Sequence, residues 1–320
     1  MIHARDAASV AAELRARFDA GGLDVPEPGQ GETATRWAAL ADLGRQDLTL
    51  ARLAEGHTDA VSILRQADRE VRAGTLYGVW AARSGGTGAV LRDGLLSGAV
   101  RFCSGAHSLD RALVVAAVDD GSTALVDVDL TDDRVHRRPD TWQPLGMDAS
   151  DSPDVDFGGV PVESTAIVGP PGFYVDRLGF WWGGGGVAAV WHGGAAGIVE
   201  RTTRLLRGGK ELDEHQLAHF GALHTFLAAT DALLRETADK IDAAPGGDAS
   251  LPVLLCRASA EHTAREVVDR IPRITGPTAF ARDRAFAQAL ADLQLYIRQH
   301  HAERDLAALG RKAIERGDGG

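Results

Sequence analysis

The polar residues best suited to chemistry stand near the C-terminus, in the run Arg298-Gln299-His300-His301-Ala302-Glu303-Arg304-Asp305. An imidazole changes charge near neutral pH, so either histidine is able to accept a proton and return it. Their adjacency argues against a shared metal, because neighbours on a helix diverge by about 100° whereas paired ligands occupy positions i and i+4. His192 stands alone, and Cys103 and Cys256 are the only cysteines, so the sequence supports neither a metal site nor a disulfide framework. Gly208-Gly209-Lys210 lacks the following Ser or Thr and the preceding strand of a phosphate loop, and reads as a helix end. A histidine on a helix is also an ordinary core or surface residue, so the elements that position His300 carry the argument.

Phe286, Leu290, Leu293 and Ile297 fall at spacings of four, three and four, the stripe of a last helix, and three residues further along that stripe is His300. Before it, Leu217, Phe220, Leu223, Leu227, Leu234 and Ile241 mark a long helix that begins at Asp213 and Glu214. Leu254, Leu255, Ala258, Val268 and Ile271 mark another, ended over Pro272 to Pro277. Gly179 to Leu206 is too long and apolar for a strand and reads as a buried helix, with Gly193, Gly194 and Gly197 allowing close helix packing. At the other end, Val10, Leu14 and Phe18 predict one helix, Thr35 to Leu43 a second with Gly44 as its C-cap, and Asp47 caps a third in which Gly56 is a weak point.

Between these helical stretches the pattern changes. Leu95 to Ser104, Ala112 to Val118 and Thr123 to Leu130 are short runs rich in Val, Leu and Ala, broken by turn residues. Leu145 to Phe157 and Val160 to Val168 add two more, with Gly158-Gly159 as the turn between them. The reading is an α+β protein with an N-terminal helical subdomain over 1–74, a middle β-barrel or sandwich over 75–172 and a C-terminal helical bundle over 173–320.

Of 320 residues, 44% are apolar and 25% charged, an ordinary composition for a globular protein, and the net charge of -11 opposes a general nucleic-acid binder. The first residues lack a signal-peptide core and no apolar run suggests a membrane span, so a cytoplasmic protein is expected.

The segment Leu96-Ser97-Gly98-Ala99-Val100-Arg101-Phe102-Cys103-Ser104-Gly105-Ala106 resembles a strand of the acyl-CoA dehydrogenase family, L-x-G-x-K-x-(W/F)-x-(T/S)-x-A. Leu145-Gly146-Met147-Asp148-Ala149-Ser150-Asp151-Ser152 is similar to that family's L-G-(M/I)-x-(A/S)-(S/T)-x-(S/T), and Val155 to Val162 to the strand after it. Asp47-Leu48 and His57 are similar to its helical region.

The resemblance implies a flavin, normally FAD, between the β unit and the C-terminal helices of a homodimer or homotetramer, with a hetero-oligomer as the variant arrangement. It assigns cofactor contacts to Tyr77, Val79, Trp80, Phe102, Ser104 and His301, and places His300 where many members carry a catalytic Glu. Phe102 reads equally well as an inward core residue. Two departures stand out: Trp80 replaces a common Thr, and Leu217 replaces the Arg of R-x-x-F-G that grips the FAD pyrophosphate, unless Arg282, Arg284 or Arg298 substitutes. The leading expectation is α,β-dehydrogenation of an acyl thioester such as acyl-CoA, with His300 as base. The alternatives are a monooxygenase of the same fold, for which FMN suffices, and a non-catalytic subunit beside an active partner.

Overall fold

The computed structural model describes residues 6–83, 87–207 and 211–317. Lys210 and the two glycines before it lie outside the described residues. Three helices open the chain: α1 (Ala7–Asp19), α2 (Thr33–Gln46) and α3 (Leu48–Gln66). Asp6 and Asp47 cap α1 and α3 by accepting backbone N–H groups of their first turns, which satisfies donors the helix leaves open. Gly44 is not a C-cap. It lies inside α2, where a Cβ would stand 2.4 Å from the Val190 carbonyl oxygen, so its smallness serves packing instead of termination. Gly56 leaves α3 unbroken.

Among the described residues seven strands follow: β1 (Tyr77–Trp80), β2 (Gly88–Arg92), β3 (Leu95–Val100), β4 (Arg111–Ala117), β5 (Thr123–Asp129), β6 (Val135–Arg138) and β7 (Asp154–Pro161). They form one mixed sheet in the order β1-β4-β2-β3-β7-β6, with β5 on the free edge of β4. β4 receives β1 along its first half and β2 along its second, both parallel, and its burial on both faces explains its unbroken apolar run. The hairpin β2–β3 turns at Asp93-Gly94, both at positive φ, a pairing that a two-residue turn demands.

The expected turn at Gly158-Gly159 does not exist. β7 runs through both residues, and Gly159, at φ 80°, is the extra residue where the register against β3 shifts between Leu96 and Ser97. A bulge needs that conformation, which Gly adopts without steric cost. Residues 145–153 are loop and 3₁₀ turn, not strand.

After the short α4 (Phe173–Asp176) come α5 (Gly179–Leu206), α6 (Glu214–Ala243), α7 (Ser250–Thr275), α8 (Pro277–Arg282), α9 (Arg284–Tyr296) and α10 (Glu303–Gly317). α5 is the axis of the bundle, buried along most of its length and seated on α2. A Cβ on Gly193 would lie 1.9 Å from the Ala41 carbonyl oxygen, so only hydrogen at that position permits the approach. A capping box between Asp213 and Gln216 starts α6. α7 continues through Pro272 to Thr275, and its stop is Gly276 at φ 65°. Among the described residues, α6 alone is long and apolar enough by length and composition to cross a membrane; its inward face, with Leu223, Thr230, Leu234 and Ile241, packs on the bundle. The helical bundle and mixed sheet together form the acyl-CoA dehydrogenase-like fold.

Candidate functional site

His57 on α3 fixes where the sheet meets the helices. Its Nδ1 accepts the Tyr77 backbone N–H at 3.2 Å, while the ring meets Phe18 of α1 edge-on. Burial lowers its pKa from 6.5 to about 4, so the neutral ring holds β1. Alternation along β1 then sends its side chains to opposite faces. Tyr77 and Val79 pack with Ile63, Leu113 and Leu125, away from the Phe102–Ser104 segment, so the expected Tyr77 and Val79 cofactor contacts are limited to what their backbone offers on the other face. Trp80 faces the segment: its indole N–H donates to the Ser104 carbonyl oxygen at 3.1 Å, and the ring is buried.

Phe102 is 56% exposed at φ 59°, and its ring meets Trp142 edge-on with centroids 6.5 Å apart. It is not an inward core residue. Ser104 is buried beside it and accepts a bond from the Ser152 hydroxyl at 2.9 Å, which leaves the Ser104 proton free to donate. Ser152 in turn meets Ser150, whose hydroxyl donates to the Met147 carbonyl at 2.7 Å. The Met147 N–H is held by the Asp292 carboxylate of α9 at 2.5 Å, and Gln288 donates to the same carboxylate at 2.9 Å. α9 thus clamps the loop that backs Ser104. Burial raises Asp292 to about 6, against the bonds from Met147 and Gln288 that favour its charge.

The stripe of α9 does not continue to His300. The helix ends at Tyr296, a 3₁₀ turn follows over 297–299, and His300 is extended at φ -82°, ψ 123°. About 14 Å of axial rise separates Asp292 from His300, so the two are tied by one turn of helix and one 3₁₀ turn. His300 is 5% exposed with Nδ1 unpartnered. Burial lowers its pKa, assisted by Arg257 and His301 and opposed by Asp305 and Glu261. The imidazole is therefore neutral at pH 7 and able to accept a proton. His301 points outward, 3.6 Å from Asp305, and no hydrogen bond or ring contact joins it to Phe102 or Ser104 among the described residues.

Around His300 is a polar assembly that periodicity did not single out. Arg52 and Glu55 of α3 pair at 2.7 Å on a buried face, and burial pushes the Glu55 carboxyl up. Arg257 of α7 lies 4.8 Å from the Trp191 ring centroid and donates to the Gly184 and Gln299 carbonyls at 3.1 and 3.4 Å. Tyr296, edge-on to Trp191, is 3% exposed and its hydroxyl meets Arg52. The available signal was charge on an apolar face: Arg52 follows Leu48 by four residues, and Arg257 follows Val253 by four.

An exposed aromatic face beside a serine with a free proton fits a flat heterocycle that needs an apolar wall and an edge donor, as an isoalloxazine does. The diphosphate side of FAD is not matched in the same way. Leu217 stands at that position on α6, Arg298 donates back to the Gln294 carbonyl at 3.2 Å, and Arg282 and Arg284 are exposed on α8 and α9. Among the described residues no group of three His, Cys, Asp or Glu side chains is gathered for a metal.

No family model matches the chain, and no curated protein sequence does. Solved structures match it closely in shape. TdsC from Paenibacillus sp. A11-2 in complex with FMN and indole superposes with a TM-score of 0.77 at 19% identity, covering 97% of both chains. The nitrososynthase from Micromonospora carbonacea var. africana gives 0.76 at 20% identity over 96% of this chain and 93% of that one. KijD3 in complex with dTDP gives 0.78 at 19% identity over 97% and 86%.

Proposed function

We propose that the protein is a flavin-dependent monooxygenase that uses reduced FMN and oxygen to oxidise a small molecule held beside His300. The observation that carries this reading is His300 itself: where the dehydrogenase resemblance has a carboxylate base, this chain holds a neutral, buried imidazole with an open Nδ1. The monooxygenase named in a matched structure supports the same choice over thioester dehydrogenation, as does Leu217 in place of a diphosphate-gripping Arg.

Bound flavin would supply the two electrons that let one oxygen atom pass to the substrate while the other leaves as water. This chain's residues do the rest. Phe102 walls the ring, Ser104 donates to its polar edge, and the Asp292 clamp keeps Ser152 and Ser104 in register. His300 Nδ1 takes a proton from the substrate or returns one to it, while Trp191 and Tyr296 exclude water. The helical units over 1–74 and 173–320 flank the sheet unit over 75–172 in this reading, and a second copy of the chain covers the outward apolar face of α6, where Leu217 is 47% exposed.

The test is to load the purified protein with FMN or FAD, reduce the flavin chemically, and follow oxygen consumption with candidate substrates. FMN retention with substrate-dependent oxygen transfer is expected. Anaerobic bleaching of bound flavin by an acyl-CoA would instead establish the dehydrogenase, and failure to bind either flavin would leave the non-catalytic subunit.

A further inference from the structure

Arg257 lies in the buried assembly with its charge favoured from a distance by Asp305 and Glu55, but not by an ion pair in contact. Among the described residues it has no salt bridge: both of its hydrogen bonds go to backbone carbonyls, and its guanidinium otherwise lies over the Trp191 ring. The nearby carboxylates are already engaged. Glu55 holds Arg52 at 2.7 Å, Glu261 holds Arg265 at 2.8 Å, and Asp305 accepts the His301 backbone N–H at 3.0 Å. Among the described residues the buried Trp191 indole nitrogen has no partner, and the Tyr296 hydroxyl, which Arg52 bonds, keeps its own proton to donate. A buried donor without an acceptor is unfavourable, and both groups belong to the ring pair on which the Arg257 guanidinium rests.

The free donors and the lack of a contact ion pair at Arg257 among the described residues point the same way. We propose that this locus binds an anionic oxygen group of the substrate, a carboxylate or its chemical equivalent, with Arg257 as the charge partner and the Tyr296 hydroxyl as a further donor. The proposal rests on the oxygenase reading for its purpose, not for its chemistry. Arg257 is only partly covered, and its bond to the Gln299 carbonyl, at 3.4 Å, is the longer of its two. Gly184 leaves room beside the guanidinium, since an added Cβ there would meet the Arg257 side chain only at ordinary contact distance, 3.8 Å.

The experiment is titration calorimetry of the whole protein, without flavin and with FMN, using benzoate as the anionic probe and benzamide as its neutral counterpart. Benzoate is expected to bind saturably and benzamide about tenfold or more weakly. Arg257→Met, which keeps the packing on Trp191, is expected to abolish that preference, and Arg257→Lys to restore part of it. Arg273→Met, on the same helix and paired only with the exposed Asp269, should leave binding as it was. Absence of benzoate binding, equal binding of both probes, or a preference that survives Arg257→Met in a folded protein would overturn the proposal. Because binding is read without flavin, failure of the oxygenase reading leaves this result intact, and FMN binding without benzoate binding defeats this inference alone.

Discussion

The Met147 backbone N–H donates to the Asp292 carboxylate at 2.5 Å, joining a loop of the sheet unit to a helix 145 residues away in sequence. Through Ser150 and Ser152 the same loop supports Ser104, so one carboxylate links the helical bundle to the proposed flavin wall.

Asp292 makes stability fall as the solution becomes less acidic. Its folded value of about 6 lies above the ordinary 3.8, so between these values the folded state holds more protons than the unfolded one. Its contribution is full below the unfolded value and is lost as pH rises through about 6, on the order of 2–3 kcal/mol in all. Asp292→Asn, which still offers an oxygen to Met147, should flatten this part of the profile in urea denaturation.

His57 acts in the opposite direction. Its folded pKa of about 4 lies below 6.5, so the unfolded state binds the extra proton and stability is lost as pH falls from 6.5 through about 4. His57→Leu leaves the Tyr77 N–H unsatisfied and should cost about 1–3 kcal/mol at neutral pH while shrinking the acid-side loss, measured by the same denaturation series.

At Phe102 the proposed cofactor role and folding can be tested separately. Its ring is largely exposed, so Phe102→Ala should change unfolding free energy by less than about 0.5 kcal/mol while weakening FMN binding by about tenfold, read by flavin fluorescence. Equal FMN affinity in variant and parent would remove Phe102 from the site.

Gly193→Ala should destabilise the protein by about 1–3 kcal/mol or more, because the new methyl meets the Ala41 carbonyl, which belongs to the backbone of α2 and cannot rotate away. Gly310→Ala on α10, with nothing within 4 Å of the added carbon, should stabilise by about 0.5–1 kcal/mol. Denaturant midpoints of the two variants should therefore move in opposite directions.

Much of the fold was legible in local pattern. Asp47 and Asp213 announced helix starts, and the Gly- and Ala-rich run from Gly179 announced the buried helix. Errors arose where one residue type serves two purposes: Gly44 and Gly159 read as a helix stop and a turn, but a neighbouring backbone decides the first and strand register the second. β2 and β6 escaped notice because each is short and half-exposed, without a clean alternation.

The sequence by itself determined the succession of helices, strands and helices, the segment that carries Phe102 and Ser104, and the histidine pair, since each depends on spacing within a few turns of chain. Only the tertiary structure decided that Tyr77 faces away from that segment, that His300 leaves its helix, and that Arg52, Trp191, Arg257, Tyr296 and His300 share one buried locus. Periodicity is a property of neighbours along the chain, whereas desolvation and missing partners arise between elements far apart in sequence, as Arg52 and His300 are, and acquire a sign only when those elements pack.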